Sequence, residues 1–135
     1  MRRVVPVSAG DTFTSLQRHD LDRAVRDAER VSGRSFYVHV GRSSGATRRY
    51  AHELHSSVAM PANSILIHVD PVERALEVVT GSDVRETADD RHVALAALTM
   101  QTAFETGDLC RGLIAGVQQL AQLARPARAL HTDTP

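Results

Sequence analysis

The chain has 135 residues, of which 42% are hydrophobic and 24% charged, and its formal net charge is zero. This length suits about one globular domain. The single cysteine, Cys110, excludes a disulfide scaffold, and no apolar run approaches the roughly 20 residues of a membrane-spanning helix. Because no apolar signal segment follows Arg2 and Arg3, the sequence predicts a cytoplasmic protein with no direct membrane insertion.

All 16 basic residues are arginine, and the chain contains no lysine. Enzymes that use a Schiff-base lysine, a lysine general base or a phosphate-loop lysine are therefore excluded. The 16 acidic residues balance the arginines, and only five aromatic residues are present (two Tyr and three Phe). A nucleic-acid partner is not expected, because both a strong positive field and a stacking platform are missing.

The first part of the chain predicts an arm, a helix and a strand. Residues 1–14 show no sustained period and are assigned to an N-terminal arm. Apolar residues then recur at helical spacing over residues 15–32, and Gly33 stands where a left-handed helix stop is expected. The β-branched and aromatic segment 35–40 predicts a strand that ends at Gly41.

The middle of the chain predicts a crossover followed by a hairpin. Residues 41–47 have loop composition, residues 47–56 predict a helix, and residues 57–64 form a second loop. The nearly continuous apolar run 65–69 is typical of a strand covered on both faces. After a short turn, residues 75–80 predict a return strand antiparallel to it.

Two helices complete the pattern. A polar loop or short helical turn spans residues 81–88, and a helix follows from Asp89 or Asp90 to Phe104. Gly107 breaks it, and Asp108 is expected to start the last helix, which ends before Pro126.

The predicted fold class is α/β, with the order α-β-α-β-β-α-α. A small mixed sheet is sandwiched by helices on both faces, because strand 65–69 has no polar face. The domain spans residues 15–125, and residues 126–135 are expected to form a flexible tail. The antiparallel return strand should bring the loop 57–64 close to the segment from Ser82 to Asp90.

Three carboxylates, Asp83, Asp89 and Asp90, are the best candidates for a metal site. Loop carboxylates suit a hard cation such as Ca²⁺, with Ser82, backbone carbonyls and water completing its shell. The alternative is that Asp89 caps the helix, Asp90 complements the helix dipole and Asp83 is solvated.

A second candidate is an anion site at the loop 41–47. Free amides at a helix start attract phosphate, and Arg42, Arg48 and Arg49 supply positive charge. The spacing and the absent lysine exclude a Walker loop, and a plain solvated loop is the alternative.

Other polar residues have weaker functional signals. His52 and His55 are spaced i and i+3, unlike the i and i+4 pair of zincins, and surface histidines are the simpler interpretation. His39 and His68 lie in strands and are expected to be satisfied core or face histidines. Cys110 is expected to pack in the core.

A nucleophile set of Ser56 or Ser57 with His55 and Asp83 can be drawn. It lacks the Gly-x-Ser-x-Gly elbow that exposes such a serine, and it is therefore disfavoured.

The order and spacing of several segments resemble the TPM domain family. The resemblance covers about residues 15–124 and rests on five segments: Arg49-Tyr50-Ala51-His52-Glu53-Leu54, Asn63-Ser64-Ile65-Leu66-Ile67, Leu76-Glu77-Val78-Val79-Thr80-Gly81, Asp89-Asp90 and Phe104-Glu105-Thr106-Gly107-Asp108. Its best markers are the Thr-Gly loop followed by an acidic residue and the later Phe-x-x-Gly-Asp.

The resemblance implies a compact α/β sandwich that binds divalent cations, Ca²⁺ especially, through loop carboxylates. It places Asp90 at the family's acidic position after the Thr-Gly loop and Asp108 at its Gly-Asp position. Acid phosphatase activity has been proposed for some members. The chain differs from the family pattern at Asp83, where a second glycine is usual, and at Leu109, where an aromatic residue is usual.

These observations predict a non-catalytic binding or interaction module, with a protein partner that the sequence does not identify and Ca²⁺ as its candidate cofactor. The alternative is a weak, metal-assisted acid phosphatase, in which carboxylates 83, 89 and 90 hold the cation that polarises a phosphomonoester. The absence of lysine and of a nucleophile motif favours the first function.

Overall fold

One mixed sheet organises the described part of the protein. The computed structural model describes residues 4–5 and 13–126. Within them the strands lie in the order β1 (Val4–Val5), β2 (Ser35–Val40), β3 (Ser64–Asp70) and β4 (Ala75–Thr80). The first three run parallel and β4 runs antiparallel to β3, which confirms the predicted chain direction.

Five helices connect and cover these strands. They are α1 (Ser15–Ser32), α2 (Thr47–Ser56), the short α3 (Ser82–Arg85), α4 (Asp90–Glu105) and α5 (Leu109–Ala124), and a 3₁₀ turn (Pro61–Asn63) precedes β3. The predicted α/β class and the helices on both faces are confirmed, and the predicted order α-β-α-β-β-α-α is observed with two additional elements, β1 before α1 and the short α3 before α4. Among the described residues, no helix is both long and apolar enough to cross a bilayer.

The N-terminal segment differs from the sequence prediction in its secondary structure. The predicted irregular arm contains a two-residue strand, Val4–Val5, paired parallel with β2. Such a strand is too short for a period to reveal it, because it depends on its neighbour for hydrogen bonds. Residues 1–3 and 6–12 of the predicted arm, and the predicted tail after residue 126, lie outside the described residues.

The helix termini follow the sequence signals with one exception. Thr14 and Gln17 form a capping box at the start of α1, and Gly33 ends the helix in the left-handed conformation with φ of 73°. Asp108 stands at the start of α5 as predicted, but its side chain makes no capping hydrogen bond. It faces Arg111 at 3.5 Å instead.

The sheet has a three-helix face and an α2 face. Alternate β3 residues (Ile65, Ile67 and Val69) pack into the large core under α1, α4 and α5. The intervening Leu66 packs with Ala51 and Val79 under α2. Every residue of β3 is buried, as the continuous apolar run predicts for a strand covered on both sides.

Gly81 fixes the meeting of β4 with the 3₁₀ turn. A Cβ atom at this position would overlap the carbonyl oxygens of Pro61 and Ala62, so only glycine allows this approach of two backbones. The Gly81 amide donates to the Ser64 carbonyl at 2.9 Å. The predicted meeting of the loop 57–64 with the segment after β4 is confirmed at these residues.

Arg34 joins the same end of the molecule to the last helix. Its guanidinium donates to the Ala124 carbonyl (2.9 Å), to Asn63 Oδ1 (2.8 Å) and to Thr87 Oγ1 (3.2 Å). The planar guanidinium can hold three acceptors from separate elements at fixed angles, and this clamp sets the ends of β2, α5 and the 3₁₀ turn against each other.

Candidate functional site

The three predicted metal ligands lie on the α3–α4 segment, and all three side chains are exposed. Asp89 Oδ1 accepts the Arg91 amide at 3.0 Å and so caps α4. Asp83 and Asp90 stand in the first turns of α3 and α4. Across residues 4–5 and 13–126, no group of three or more His, Cys, Asp or Glu side chains could hold a metal ion. Capping explains Asp89, and Ca²⁺ binding by this set stays a prediction.

The predicted anion site has an uncapped helix start. Ala46 occupies the N-cap of α2 and makes no side-chain capping bond. Arg42, Arg48 and Arg49 are exposed around the loop, and a Cβ atom built at Gly45 would lie 3.3 Å from the Arg49 guanidinium. The guanidinium of Arg49 therefore lies beside the loop, Arg48 also lines the groove along residues 76–80, and anion binding stays a prediction.

The two histidines of α2 have separate environments. His55 is buried, and its Nε2 donates to the Ser64 carbonyl at 3.1 Å. Its role is to tie α2 to the start of β3. His52 is exposed. Ser56 and Ser57 donate to carbonyls of their own helix at 2.8 and 2.7 Å, so the disfavoured nucleophile set does not form.

Cys110 lies in the core, as the sequence predicts. Its side chain is buried, and its Sγ lies 3.7 Å from the Gln17 carbonyl. Burial raises the pKa of the Cys110 thiol, and the charges of Asp20 and Asp108 raise it further. The thiol is therefore a packing group and not an activated nucleophile.

A polar cluster lies where the parallel strands β2 and β3 end, and we call it the histidine cluster: His39, Ser43, Thr47, Tyr50, His68 and Asp70. His68 Nδ1 is 3.0 Å from His39 Nδ1, and His68 Nε2 is 2.9 Å from Ser43 Oγ. The Tyr50 ring meets both imidazoles edge-on, with centroids 5.1 Å from His68 and 6.0 Å from His39. His68 is fully buried, whereas Ser43 and His39 are partly exposed.

Asp70 holds this cluster in place. Its buried carboxylate accepts the Ser43 amide at 2.8 Å and the amides of Val72 and Glu73 at 3.0 Å. Burial opposes ionisation of Asp70, but these amides together with the Ser43 hydroxyl outweigh it and lower the pKa of Asp70 overall. Asp70 is thus ionised and anchors the loop 41–47 to the β3–β4 turn.

The two cluster histidines are neutral near pH 7. Burial lowers the pKa of His39. The pKa of His68 is lowered first by burial and then by the neighbouring His39, and the charge of Asp70 opposes this only in part. Neutral imidazoles can share one proton between the two Nδ1 atoms, which agrees with their 3.0 Å separation.

A groove of about 560 Å³ runs along β4, and we call it the β4 groove. Its floor is residues 76–80, one wall is α2 and the other is α4. The polar lining residues are Arg48, His52, Glu77, Arg85 and Asp90, and the lining residues of α4 with apolar side chains are Val93, Ala94 and Ala97. Because β4 is the last strand in the order, the groove lies on the outer edge of the sheet.

Sequence reasoning missed both arrangements as sites. The prediction that His39 and His68 are satisfied core or face histidines is confirmed, but it does not include their pairing with each other in the parallel register. Residues at equivalent positions of two neighbouring parallel strands point to the same face of the sheet. This rule, applied to the two predicted strands, was the signal that could have paired the two histidines. The groove depends on which strand lies outermost, and the periodicity of a single segment does not contain that information.

The comparisons with known proteins give a family. Residues 2–121 match the family model described as a domain of unknown function, DUF5130. The chain belongs to this family. Two uncharacterized proteins of Mycobacterium tuberculosis, MT2543 of strain CDC 1551 / Oshkosh and Rv2468c of strain ATCC 25618 / H37Rv, are each 33% identical to it over 101 residues. That alignment covers 75% of this chain and 60% of each relative.

Two solved structures share the fold of this DUF5130 domain. The BA42 protein of Bizionia argentinensis has a TM-score of 0.72 at 20% identity, with 83% of this chain and 81% of that chain covered. The N-terminal domain of the cg2496 protein of Corynebacterium glutamicum has a TM-score of 0.68 at 14% identity, with 86% and 76% covered. These matches carry no TPM name, and the resemblance to that family stays a prediction.

Proposed function

We propose that this DUF5130 domain is a binding module that accepts an extended segment of a partner protein as an additional strand along β4. One observation carries the proposal: the β4 groove follows the outer edge of the sheet over residues 76–80, between two helix walls. An exposed strand edge offers main-chain hydrogen bonds, and side-chain pockets beside it give specificity.

The alternation of hydrogen bonds between β3 and β4 shows which backbone groups of β4 point away from β3. The Gly81 amide donates inward to Ser64, and antiparallel pairing alternates along the strand. The amides and carbonyls of Leu76 and Val78 therefore face outward, and no described residue bonds to them. At Thr80 the outward carbonyl is already taken by the Arg85 guanidinium, which closes that end of the edge.

The two walls select different side chains. An added strand presents alternate residues to opposite faces. Residues that point to the α4 wall would meet Val93, Ala94 and Ala97, which favour small apolar side chains. Residues that point to the α2 wall would meet Arg48 and His52, which favour polar ones. The ligand is thus an amphipathic extended segment. We expect a single strand as the ligand, because the sheet edge of a second folded copy would bring its own helices against these walls.

A peptide with N-methyl groups provides the test. The probe is a capped peptide of alternating Val and Thr with a terminal Arg for solubility, in two versions with N-methyl groups on either the Val or the Thr residues. We expect one version to bind and the other to fail, because only one set of amides faces β4. In the bound state the amides of Leu76 and Val78 should gain protection from hydrogen exchange.

A matched pair of variants places the site. Ala94→Arg fills the groove, whereas Ala115→Arg adds the same side chain on the exposed surface of α5. We expect the first to weaken binding at least about tenfold and the second to leave it unchanged. Equal effects of the two variants, equal binding of the two methylated peptides or concentration-dependent self-association through β4 would each contradict the proposal.

Ca²⁺ binding is a second candidate function. The observation that favours it is that the exposed carboxylates of Asp83 and Asp90 make no ion pair with any described residue. The TPM resemblance supports Asp90, whereas the family usually has a glycine at the position of Asp83. A Ca²⁺ titration followed by amide NMR should shift residues 80–92 and should lose that response in Asp90→Asn but not in Asp20→Asn. The metal-assisted phosphatase needs the same cation, so p-nitrophenyl phosphate hydrolysis that survives Asp90→Asn would contradict it.

A further inference from the structure

We propose that the histidine cluster is an acyl-transfer site, in which Ser43 is the nucleophile, His68 is its general base and His39 positions His68. The proposal does not depend on peptide binding, although Arg48, one of the arginines near the site, also lines the β4 groove. Its substrate class is small carboxylic esters that carry a negative charge near the scissile bond. The argument rests on the geometry of the three side chains, on the loop that holds them and on the charge around them.

The distances fit a nucleophile paired with a base. Ser43 Oγ lies 2.9 Å from His68 Nε2 and 3.3 Å from Thr47 Oγ1, and the Ser43 hydroxyl also interacts with the Asp70 carboxylate. The proposed step requires the rotamer in which the serine proton points to the imidazole, which is nearer than the threonine hydroxyl. His68 is fully buried while Ser43 is partly exposed. The base is thus shielded from water, and the residue that it serves lies at the border of the protein surface. This is the separation that nucleophile and base require.

The second histidine performs the part of an orienting group. When His68 Nδ1 carries its proton toward His39 Nδ1 at 3.0 Å, its Nε2 is left as an acceptor for Ser43. The Tyr50 ring packs against both imidazoles and restricts their rotation. His39 acts through His68 and does not touch the substrate.

The reaction balances with water as the only co-reactant. Ser43 Oγ forms a bond to the ester carbonyl carbon while its proton passes to His68 Nε2. The bond from that carbon to the leaving oxygen breaks, and Nε2 returns the proton to the alcohol. Water then attacks the acyl-serine, Nε2 takes a proton from it, and the Oγ–carbon bond breaks with the proton returned to Oγ. The products are a carboxylic acid and an alcohol.

The surroundings supply stabilisation for the negative oxygen that develops. Ser43 lies beside Thr47, the first residue of α2. In this helix the first backbone bond is donated by Tyr50, so the amides of Thr47, Arg48 and Arg49 are not used within the helix. Such amides stabilise an oxyanion. The Ser43 amide itself is held by Asp70 at 2.8 Å, which fixes the nucleophile relative to the helix.

The charge near the site sets the substrate preference. The guanidinium groups of Arg42, Arg48 and Arg49 are exposed, and none of them forms an ion pair with a described residue. A substrate with a carboxylate close to the ester gains a charge-assisted contact that a neutral ester lacks. The preference should weaken as salt is added, because exposed charges are screened.

Two acetate esters test the proposal on the full chain. The probes are p-nitrophenyl acetate and its carboxylate-bearing analogue 5-acetoxy-2-nitrobenzoate, with a fluorophosphonate label read by mass spectrometry. We expect turnover of both esters, a higher kcat/KM for the charged one, and labelling at Ser43. Ser43→Ala should lower kcat/KM at least about 100-fold, and Ser44→Ala, the same change at the exposed neighbour, should stay within about twofold.

A pH profile separates positioning by His39 from a structural role. The groups that face His68 are His39 and Ser43, Tyr50 from α2, Asp70 and, one strand along, Glu77. His39 lowers the pKa of His68 through its charge and raises that pKa through its hydrogen bond, and the charge effect is the larger. His39→Gln removes the charge, so the acid limb of kcat/KM should move to higher pH. No turnover and no label in the wild type, or activity retained in Ser43→Ala, would overturn the proposal. An unmoved acid limb would overturn the part given to His39.

Discussion

On one face of the sheet, α1, α4 and α5 bury the apolar residues of three strands, and Ile65, Ile67 and Val69 lie in one large core. On the other face, α2 alone covers a small cluster around Leu66, and the same face carries the histidine cluster. The first face supplies stability because its burial is extensive. The α2 face holds polar side chains beside their hydrogen-bond partners, and the proposed acyl-transfer site lies on this face.

The largest expected effect compares neighbouring residues of β3 on opposite faces. Ile67 and Leu66 are both almost fully buried. We expect Ile67→Ala to lower the free energy of unfolding by about 4 kcal/mol and Leu66→Ala by about 2–3 kcal/mol, because the smaller cluster collapses more easily around a cavity. Urea unfolding curves of the two variants, fitted with one common m-value, measure both losses of free energy. Equal losses would remove the distinction between the faces.

A smaller effect is expected at the buried carboxylate of the α2 face. Asp70→Asn places an amide group against backbone amides that now donate to oxygen, and it should cost about 1–3 kcal/mol. The pKa of Asp70 is lowered in the folded state, so its contribution is complete above the ordinary value of about 3.9 and is lost as pH falls through the lowered value. Wild-type stability should therefore fall more steeply than that of Asp70→Asn in this acid window. Parallel curves would contradict the anchoring role.

The smallest effect concerns the cluster histidines. Both have a lowered pKa in the folded state, so the unfolded chain binds protons first as pH falls below about 6.5. The contribution of the two neutral histidines to the free energy of unfolding is complete above that pH. It decreases at lower pH until the lowered pKa values of the folded state are reached. We expect His68→Gln to reduce the change of the thermal unfolding midpoint between pH 7 and pH 5. His52→Gln, at an exposed position, should leave this pH dependence unchanged. A slope unaffected by His68→Gln would show that the pair does not titrate with folding.

Much of the fold could be read from local pattern. The stop at Gly33 and the apolar run of β3 each act over a few residues, and both are confirmed. A hairpin-short connection also forces β4 to run against β3. These are predictions about neighbours along the chain, where sequence distance and spatial distance agree.

The candidate sites could be read only in part. The acidic residues and arginines were visible as charged residues in loops, and their ligands stay predictions. The Ser43–His68 contact joins residues 25 positions apart, and the Arg34 clamp reaches Ala124 across 90 positions. Serine, histidine and arginine are all ordinary residues in the segments where these contacts begin, so no local pattern indicated the two contacts.

The sequence by itself determined the four long helices, the strands β2, β3 and β4 and their directions, but not the two-residue β1, because periodicity, caps and loop lengths are local properties. Only the tertiary structure decided that His39 lies opposite His68, that Asp70 holds Ser43, and that β4 keeps an open edge. Those facts depend on strand register and strand order, which arise when the whole core packs and not from any one segment.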